Sequence, residues 1–392
     1  VRALFLVSRL PVPPWRGDQM RAFHHLRVLA RRHELTCCAL VWRPPSPALR
    51  AEVEALGVRL VTVPIGYAGA LPALGRALLG DRRPLQVLLY LRQRARRAVA
   101  ALIASGGFDV VHAQLVRTVP YLPADGPPVV LDLIDALSAN FGRRARRERG
   151  PLAPVAAFEA RRLATFEPAA MARAARCLAV SAVDAALLGG RGIDVVPNGV
   201  DVDAFAYQPD GRPPACLVFA GNLGYFPNVD AARWLAQEIF PRVRATVPGA
   251  ELRLVGARPA RAVRALTALP GVSLRAAVPS MPPELAAATV AMVPMRAGTG
   301  LQNKVLEAMA VGTPVVTTPQ VAEPIMGRPG EHFLVADGAA ALAAAAVELL
   351  RDPARSRAMA AAARTLVETH YRWETSADAV EAAWVAAMGS HP

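Results

Sequence analysis

The residues best suited to chemistry lie in one stretch, Pro294 to Val316, PMRAGTGLQNKVLEAMAVGTPVV. Gly298, Thr299 and Gly300 spell a tight turn that lets backbone approach a ligand closely. A helix is predicted from about Leu301 to Ala310, stopped by Gly312, with Thr313 to Val316 opening a buried strand. The bare N–H groups of such a helix start, and its dipole, favour an anion there. Lys304 and Glu307 stand three apart and share a helix face. Of the 45 lysines and arginines, Lys304 is the single lysine. A compact ammonium beside a Gly turn, in a chain that otherwise uses arginine, points to a phosphate oxygen as its partner. The plainer reading is a surface lysine on an amphipathic helix.

Other candidates sit at predicted strand ends. The first loop, LPVPPWRGDQ, brings Gly17, which lets backbone approach an anion, Asp18 as cap of the next helix, and Arg21 one turn in, with reach for a phosphate or an acceptor. A structural turn with a capped helix explains Asp18 equally well. The segment VVLDLIDALSANF places Asp132 and Asp135 at a strand end, and His112 closes the strand before it. A lone histidine after a strand is more often structural than catalytic. In the second half, Gly221 and Asn222 end a buried strand, again where open sheets bind phosphates or sugars.

These residues need a scaffold of alternating strands and helices, which the chain supplies throughout. Apolar runs at 3–8, 35–41, 58–63, 108–112, 129–133 and 177–180, then 215–220, 251–255, 271–274 and 289–294, alternate with helical patterns. That alternation predicts parallel sheets covered by helices on both faces. Glu159 and Arg162 read as an i,i+3 pair on a long helix after a basic loop, and Ser181 as a helix cap. Pro197-Asn198-Gly199-Val200-Asp201 says only turn by its chemistry.

At 392 residues two domains are expected. The division is 1–202 as an N-terminal domain with 371–392 returning to it, a linker at 203–214, and a C-terminal domain at 215–370. No strongly apolar run reaches membrane-spanning length, and VRALFLVS reads as a first strand rather than a leader. Four scattered cysteines give neither metal spacing nor a disulfide framework, so a reducing cytoplasm is expected. The formal charge of +14, with arginine clusters at 82–83, 92–97 and 143–149, implies an anionic partner or simply solvated arginine faces. At 6% aromatic content, few rings interleave with the arginines, which disfavours specific nucleic-acid binding. No phosphate loop of the ATPase type, no paired Cys-x-x-Cys and no nucleophile elbow occurs.

Glu307-Ala308-Met309-Ala310-Val311-Gly312-Thr313-Pro314-Val315-Val316 resembles the second half of the nucleotide-sugar motif of retaining, family 4-type glycosyltransferases. The patterns Pro-Pro-x-x-Gly-Asp-x-x-Arg at 13–21 and Gly-Asn-x-x-x-x-Pro-Asn-x-Asp-Ala at 221–231 resemble the subgroup associated with bacterial exopolysaccharide and exosortase loci. The resemblance implies a GT-B fold, two Rossmann-like domains facing each other across a cleft, with a C-terminal helix crossing back. It implies a nucleoside-diphosphate sugar as donor substrate, no separate cofactor, no metal, and retention. Glu307 would hold the donor ribose and Lys304 the diphosphate, with Gly17, Gly221, Asn222, Arg296, Gly298, Thr299, Gly300 and Leu301 around them. Asp18 and Arg21 would face the acceptor, and Asp135 and His112 the transferred sugar. Thr299 stands where the family's first motif glutamate falls, Asp135 where many relatives carry histidine, and Asn222 where many carry arginine.

The expected function is transfer of a sugar to a glycan or lipid-linked acceptor in bacterial polysaccharide biosynthesis, at the inner face of the cytoplasmic membrane. Two rivals share the fold: a nucleotide-sugar 2-epimerase, on fold analogy alone, and a non-catalytic nucleotide-sugar-binding assembly partner, motivated by Thr299.

Overall fold

The computed structural model describes residues 1–147, 150, 152–190, 192–297 and 300–389. Two compact units emerge: Val1–Pro197 together with the chain from Ser376 onward, and Asn198–Thr375.

The first unit is built on seven parallel strands: β1 (Arg2–Val7), β2 (Glu34–Val41), β3 (Arg59–Pro64), β4 (Val110–Gln114), β5 (Val129–Ile134), β6 (Arg176–Ala179) and β7 (Ile193–Val195). Their order is β3-β2-β1-β4-β5-β6-β7. The chain winds outward from β1 to β3, then restarts on the far side of β1 with β4. Strand β4 is buried along its whole length, as a central parallel strand covered on both faces must be. Beneath it, Leu4, Leu6, Val99, Val111, Leu131 and Leu163 join one apolar core. The helix Trp373–Gly389 begins in the second unit and is part of the first from Ser376. Its Trp384 packs edge-on to Phe5 at 5.6 Å.

The second unit repeats the plan with six parallel strands: β8 (Cys216–Ala220), β9 (Glu251–Gly256), β10 (Val272–Ala276), β11 (Val290–Val293), β12 (Val315–Thr317) and β13 (Leu334–Val335). The order is β10-β9-β8-β11-β12-β13. Each sheet therefore has one point where the winding reverses, between β1 and β4 and between β8 and β11. Open parallel sheets bind ligands beyond the strand ends at such a crevice.

Several expectations are corrected. The arginines at 143–147 lie on a helix, Leu137–Arg147, not in a loop, and Arg149 lies outside the described residues. Glu159 and Arg162 do not pair. Glu159 accepts from the backbone N–H groups of Leu85 and Gln86, and Arg162 donates to the carbonyls of Arg83 and Ala77. The unit boundaries fall at 197/198 and 375/376, and 203–214 belongs to the second unit. Arg212 bonds there to the carbonyls of Gln208, Ala286, Ala288 and Val311, within the second unit. The turn at 197–201 has a packing reason. Val200 N–H donates to Tyr371 at 2.7 Å, and a Cβ on Gly199 would stand 2.5 Å from the Trp373 nitrogen. Ser181 caps its helix as expected, accepting from the Asp184 N–H.

Candidate functional site

The second unit gathers its candidates at the β8–β11 crevice. Strand β8 gives way to Gly221, whose φ of 152° belongs to glycine. Asn222 follows and folds its side-chain oxygen onto the Gly224 N–H at 3.1 Å. After β11 the chain runs through Met295, Arg296 and Gly300 to the helix Asn303–Ala310. This helix starts two residues later than predicted. Gln302 precedes it without a side-chain cap, and the Val305 N–H turns back to the Gln302 carbonyl at 2.9 Å. Gly300 has φ 72°, Leu301 is buried, and Gly298 and Thr299 lie outside the described residues.

Lys304 and Glu307, both half-buried, sit on the first two turns. Lys304 Nζ donates to Asn228 Oδ1 at 2.5 Å, lies 3.8 Å from Met295 Sδ, and rests 4.9 Å from the centre of the Phe219 ring. Burial lowers its pKa to about 8, with Glu307 pulling the other way. Burial likewise pushes Glu307 up to about 7, against the pull of Lys304. The two act on each other through space, so each is an underpaired charge in a dry setting. A Cβ on Gly221 would come within 3.0 Å of both Lys304 Nζ and Asn228 Nδ2, so strand end, lysine and asparagine are in contact.

Asn228 had no functional role in the sequence reading. It donates to the Asn222 carbonyl at 2.9 Å and accepts from Lys304, fixing the ammonium against the strand end. The signal was present, since the 221–231 pattern spans Asn222, Asn228 and Asp230. Asp230 gives Arg296 a partner that local spacing does not show. It takes that guanidinium in a two-point ion pair at 2.8 and 3.1 Å, and the same group stacks 4.5 Å over Trp234. Arg296 is a wall of the crevice with its charge already matched. Asn198, from the turn at 197–201, bonds to Asn303 Oδ1 at 2.9 Å and braces the helix start.

The first unit treats its candidates differently. Arg21 is fully buried, its Nε 2.6 Å from Asp132 and its Nη1 donating to the Val196 carbonyl at 2.8 Å. It does not reach a phosphate or an acceptor. Burial raises the Asp132 pKa, but Arg21 and His112 outweigh that and hold the carboxyl well below the usual carboxylate range. His112 is equally buried, stacked 4.4 Å from Phe5 and accepting from Trp384 Nε1 at 3.2 Å. These three form a sealed cluster, so Asp132 and His112 are structural rather than cleft groups. Asp18 does not cap its helix. Arg16 holds the cap position, and Asp18 lies in the first turn, 3.1 Å from Arg9. Gly17 is the first residue of that helix. Asp135 alone remains half-exposed at a strand end, after Ile134 at φ 68°, and takes the Asn140 amide at 3.3 Å.

Known proteins match this picture in two steps. The fold is GT-B. The structure superposes on sucrose-phosphate synthase from Thermosynechococcus elongatus with a TM-score of 0.76 over 100% of both chains at 17% identity. It also matches Anabaena HepE, solved with UDP and glucose, at TM-score 0.64 and 14% identity over 98% of this chain and 99% of that one. WaaG, a glycosyltransferase involved in lipopolysaccharide biosynthesis, matches at TM-score 0.63 and 17% identity over 97% and 99%.

In sequence, residues 214–352 match the family described as Glycosyl transferases group 1. A stretch of 208 residues is 32% identical to a GDP-mannose-dependent alpha-(1-6)-phosphatidylinositol monomannoside mannosyltransferase of Mycobacterium tuberculosis, covering 47% of this chain and 54% of that protein. The Mycolicibacterium smegmatis counterpart is 31% identical over 206 residues. The chain thus spans about half the length of the curated relatives it matches.

Proposed function

We propose that the protein is a glycosyltransferase that takes its sugar from a nucleoside-diphosphate donor held in the second unit. The observation that carries this reading is Lys304, an underpaired, half-buried ammonium at the start of a helix in the β8–β11 crevice. When the sugar leaves, charge develops on the diphosphate. A preorganised cation and backbone N–H groups stabilise it without reorganising. A bound diphosphate also keeps Lys304 protonated, offsetting the cost of its burial. Glu307, one turn on, is placed to accept from ribose hydroxyls as its carboxylate. The match of 214–352 to group 1 glycosyl transferases supports the assignment of the donor to this unit.

The finer reading is transfer with retention and without a metal, to a lipid-linked or glycan acceptor in bacterial polysaccharide biosynthesis. Relatives named for a phosphatidylinositol mannoside and for lipopolysaccharide synthesis support a lipid-linked acceptor. No described helix is long and apolar enough to cross a membrane. Access to a lipid would therefore use the surface, and Arg143, Arg144 and Arg146, on a helix packed against the one exposing Leu152, Val155 and Phe158, suit an anionic bilayer. Flotation with anionic vesicles but not neutral ones is the expected result.

The decisive test is calorimetric titration with UDP-, GDP-, ADP- and CDP-sugars. One nucleotide is expected to bind wild type. Lys304→Ala is expected to weaken it by roughly 10- to 100-fold, the scale of one hydrogen bond to a charged group, and Glu307→Ala to weaken it through the ribose. Equal affinity in wild type and Lys304→Ala would refute the placement.

A further inference from the structure

The first unit's crevice, between β1 and β4, carries an unmatched cation of its own. Strand β1 gives way to Ser8-Arg9-Leu10 and β4 to Leu115-Val116-Arg117. The register that pairs Leu6 with Ala113 sets these two loops side by side. Arg117 is partly buried, and its Nε donates to Gln86 Oε1 at 3.1 Å, while its guanidinium lies 5.5 Å from the Tyr90 ring centre. Among the described residues it has no ion-pair partner, and both its terminal nitrogens are uncommitted. Asp18 acts on it from a distance but is itself paired with Arg9 at 3.1 Å. Burial lowers the Arg117 pKa, and Arg9 adds to the drop.

Two buried polar groups beside it also lack partners. Gln86 is 9% exposed. Its oxygen serves Arg117, which leaves its amide Nε2 on the same planar group without a hydrogen bond. Ser8, 1% exposed and the first residue after β1, has an unbonded Oγ. Buried donors are almost always satisfied, so orphans at a strand-end crevice signal a missing partner. Among the described residues acting on Arg117, Arg9 and Arg16 add positive charge and Asp18 supplies the opposing carboxylate, so the balance calls for a negative partner.

We propose that this crevice is a phosphate site of the first unit, separate from Lys304, with the Arg117 guanidinium as its two-point anchor and Gln86 and Ser8 as supporting donors. The free fork of a guanidinium matches two phosphate oxygens, which an ammonium cannot do. On the transferase reading, on which only this last assignment rests, the phosphate belongs to the acceptor rather than the donor. The acceptor is then a phosphorylated or phosphodiester-linked molecule.

The test titrates the full chain with glycerol phosphate and, separately, with the nucleoside diphosphate, in wild type, Arg117→Gln, Arg117→Lys and Lys304→Ala. Glycerol phosphate is expected to bind wild type, to weaken at least tenfold in Arg117→Gln, to recover partly in Arg117→Lys, and to bind Lys304→Ala unchanged. Because Arg117 lacks a counter-ion, Arg117→Gln is also expected to melt at or above the wild-type temperature, whereas a structural arginine would give a lower one. Three results overturn the proposal: no glycerol phosphate binding to wild type, equal binding to Arg117→Gln, or parallel loss of both ligands in Arg117→Gln and Lys304→Ala, which would make the anion the donor's diphosphate. Should no nucleotide bind while Arg117→Gln still loses glycerol phosphate, the phosphate site stands and the donor reading alone falls.

Discussion

Two clusters of charge, one in each unit, were both predicted to do chemistry, and they have opposite fates. In the first unit, Arg21, Asp132 and His112 are sealed in the core and answer one another: the guanidinium meets the carboxylate at 2.6 Å, and His112 takes the Trp384 N–H. In the second unit, among the described residues, Lys304 meets a neutral amide, a sulfur and a ring face, and Glu307 acts on it through space. A charge matched inside the protein holds the fold. A charge left underpaired at a strand-end crevice is held for a ligand, at a cost in stability. The sign of a substitution's effect on stability therefore separates the two kinds.

The largest effect should come from Asp132→Asn. It leaves Arg21 buried without its counter-charge, and such single removals cost about 3–5 kcal/mol. Urea unfolding should show a loss of that size, while the folded fraction keeps nucleotide binding. A loss under about 1 kcal/mol would erase the contrast between the clusters.

The opposite sign is expected at Lys304. Its pKa falls from 10.5 to about 8 on folding, so the folded chain holds fewer protons than the unfolded one between those values. Wild-type stability should climb as pH rises from 8 to 10.5. The shift corresponds to roughly 3 kcal/mol at most. Lys304→Met, lacking this penalty, should be more stable than wild type at pH 7, with the advantage fading above pH 10. Glu307 runs the other way: its folded pKa is raised from 4.5 to about 7, so its contribution is full below pH 4.5 and lost as pH rises through 7. Denaturant midpoints from pH 5 to 10.5 would show the pair at its worst near neutrality. A Lys304→Met protein less stable than wild type at pH 7 would mean the lysine is structural after all.

The smallest effect sharpens the comparison from inside the site. Asn228→Ala removes the amide between Lys304 and the β8 end, a single hydrogen-bond array worth about 0.5–1.5 kcal/mol. Nucleotide affinity should fall only severalfold, far less than for Lys304→Ala. An equal fall would make Asn228 a direct ligand contact.

What could be read from the sequence divides along the same line. The run from Glu307 to Val316 announced a helix, a stop and a strand because each signal is local: helical spacing, Gly312, then β-branched residues. The strand alternation likewise gave the parallel sheets. Whether a charge is matched is not local. Arg21 and Asp132 are 111 residues apart, and Arg296 and Asp230 are 66 apart. In the sequence, Arg21 and Lys304 look alike, each a cation one turn into a helix behind a Gly loop. Only the partner folded against each tells them apart. Asp18 failed as a cap for a smaller reason: the helix begins two residues earlier than its spacing suggested, at Gly17 rather than Gln19, which turns a capping side chain toward Arg9.

Lys304 has one more consequence. An amine with a pKa near 8, in a sequence with no other lysine, is a built-in covalent handle. Among side chains, acylating reagents at mildly alkaline pH would mark this position alone. Whatever holds that amine protonated would shield it, so the rate of labelling reports directly on whether the crevice is occupied.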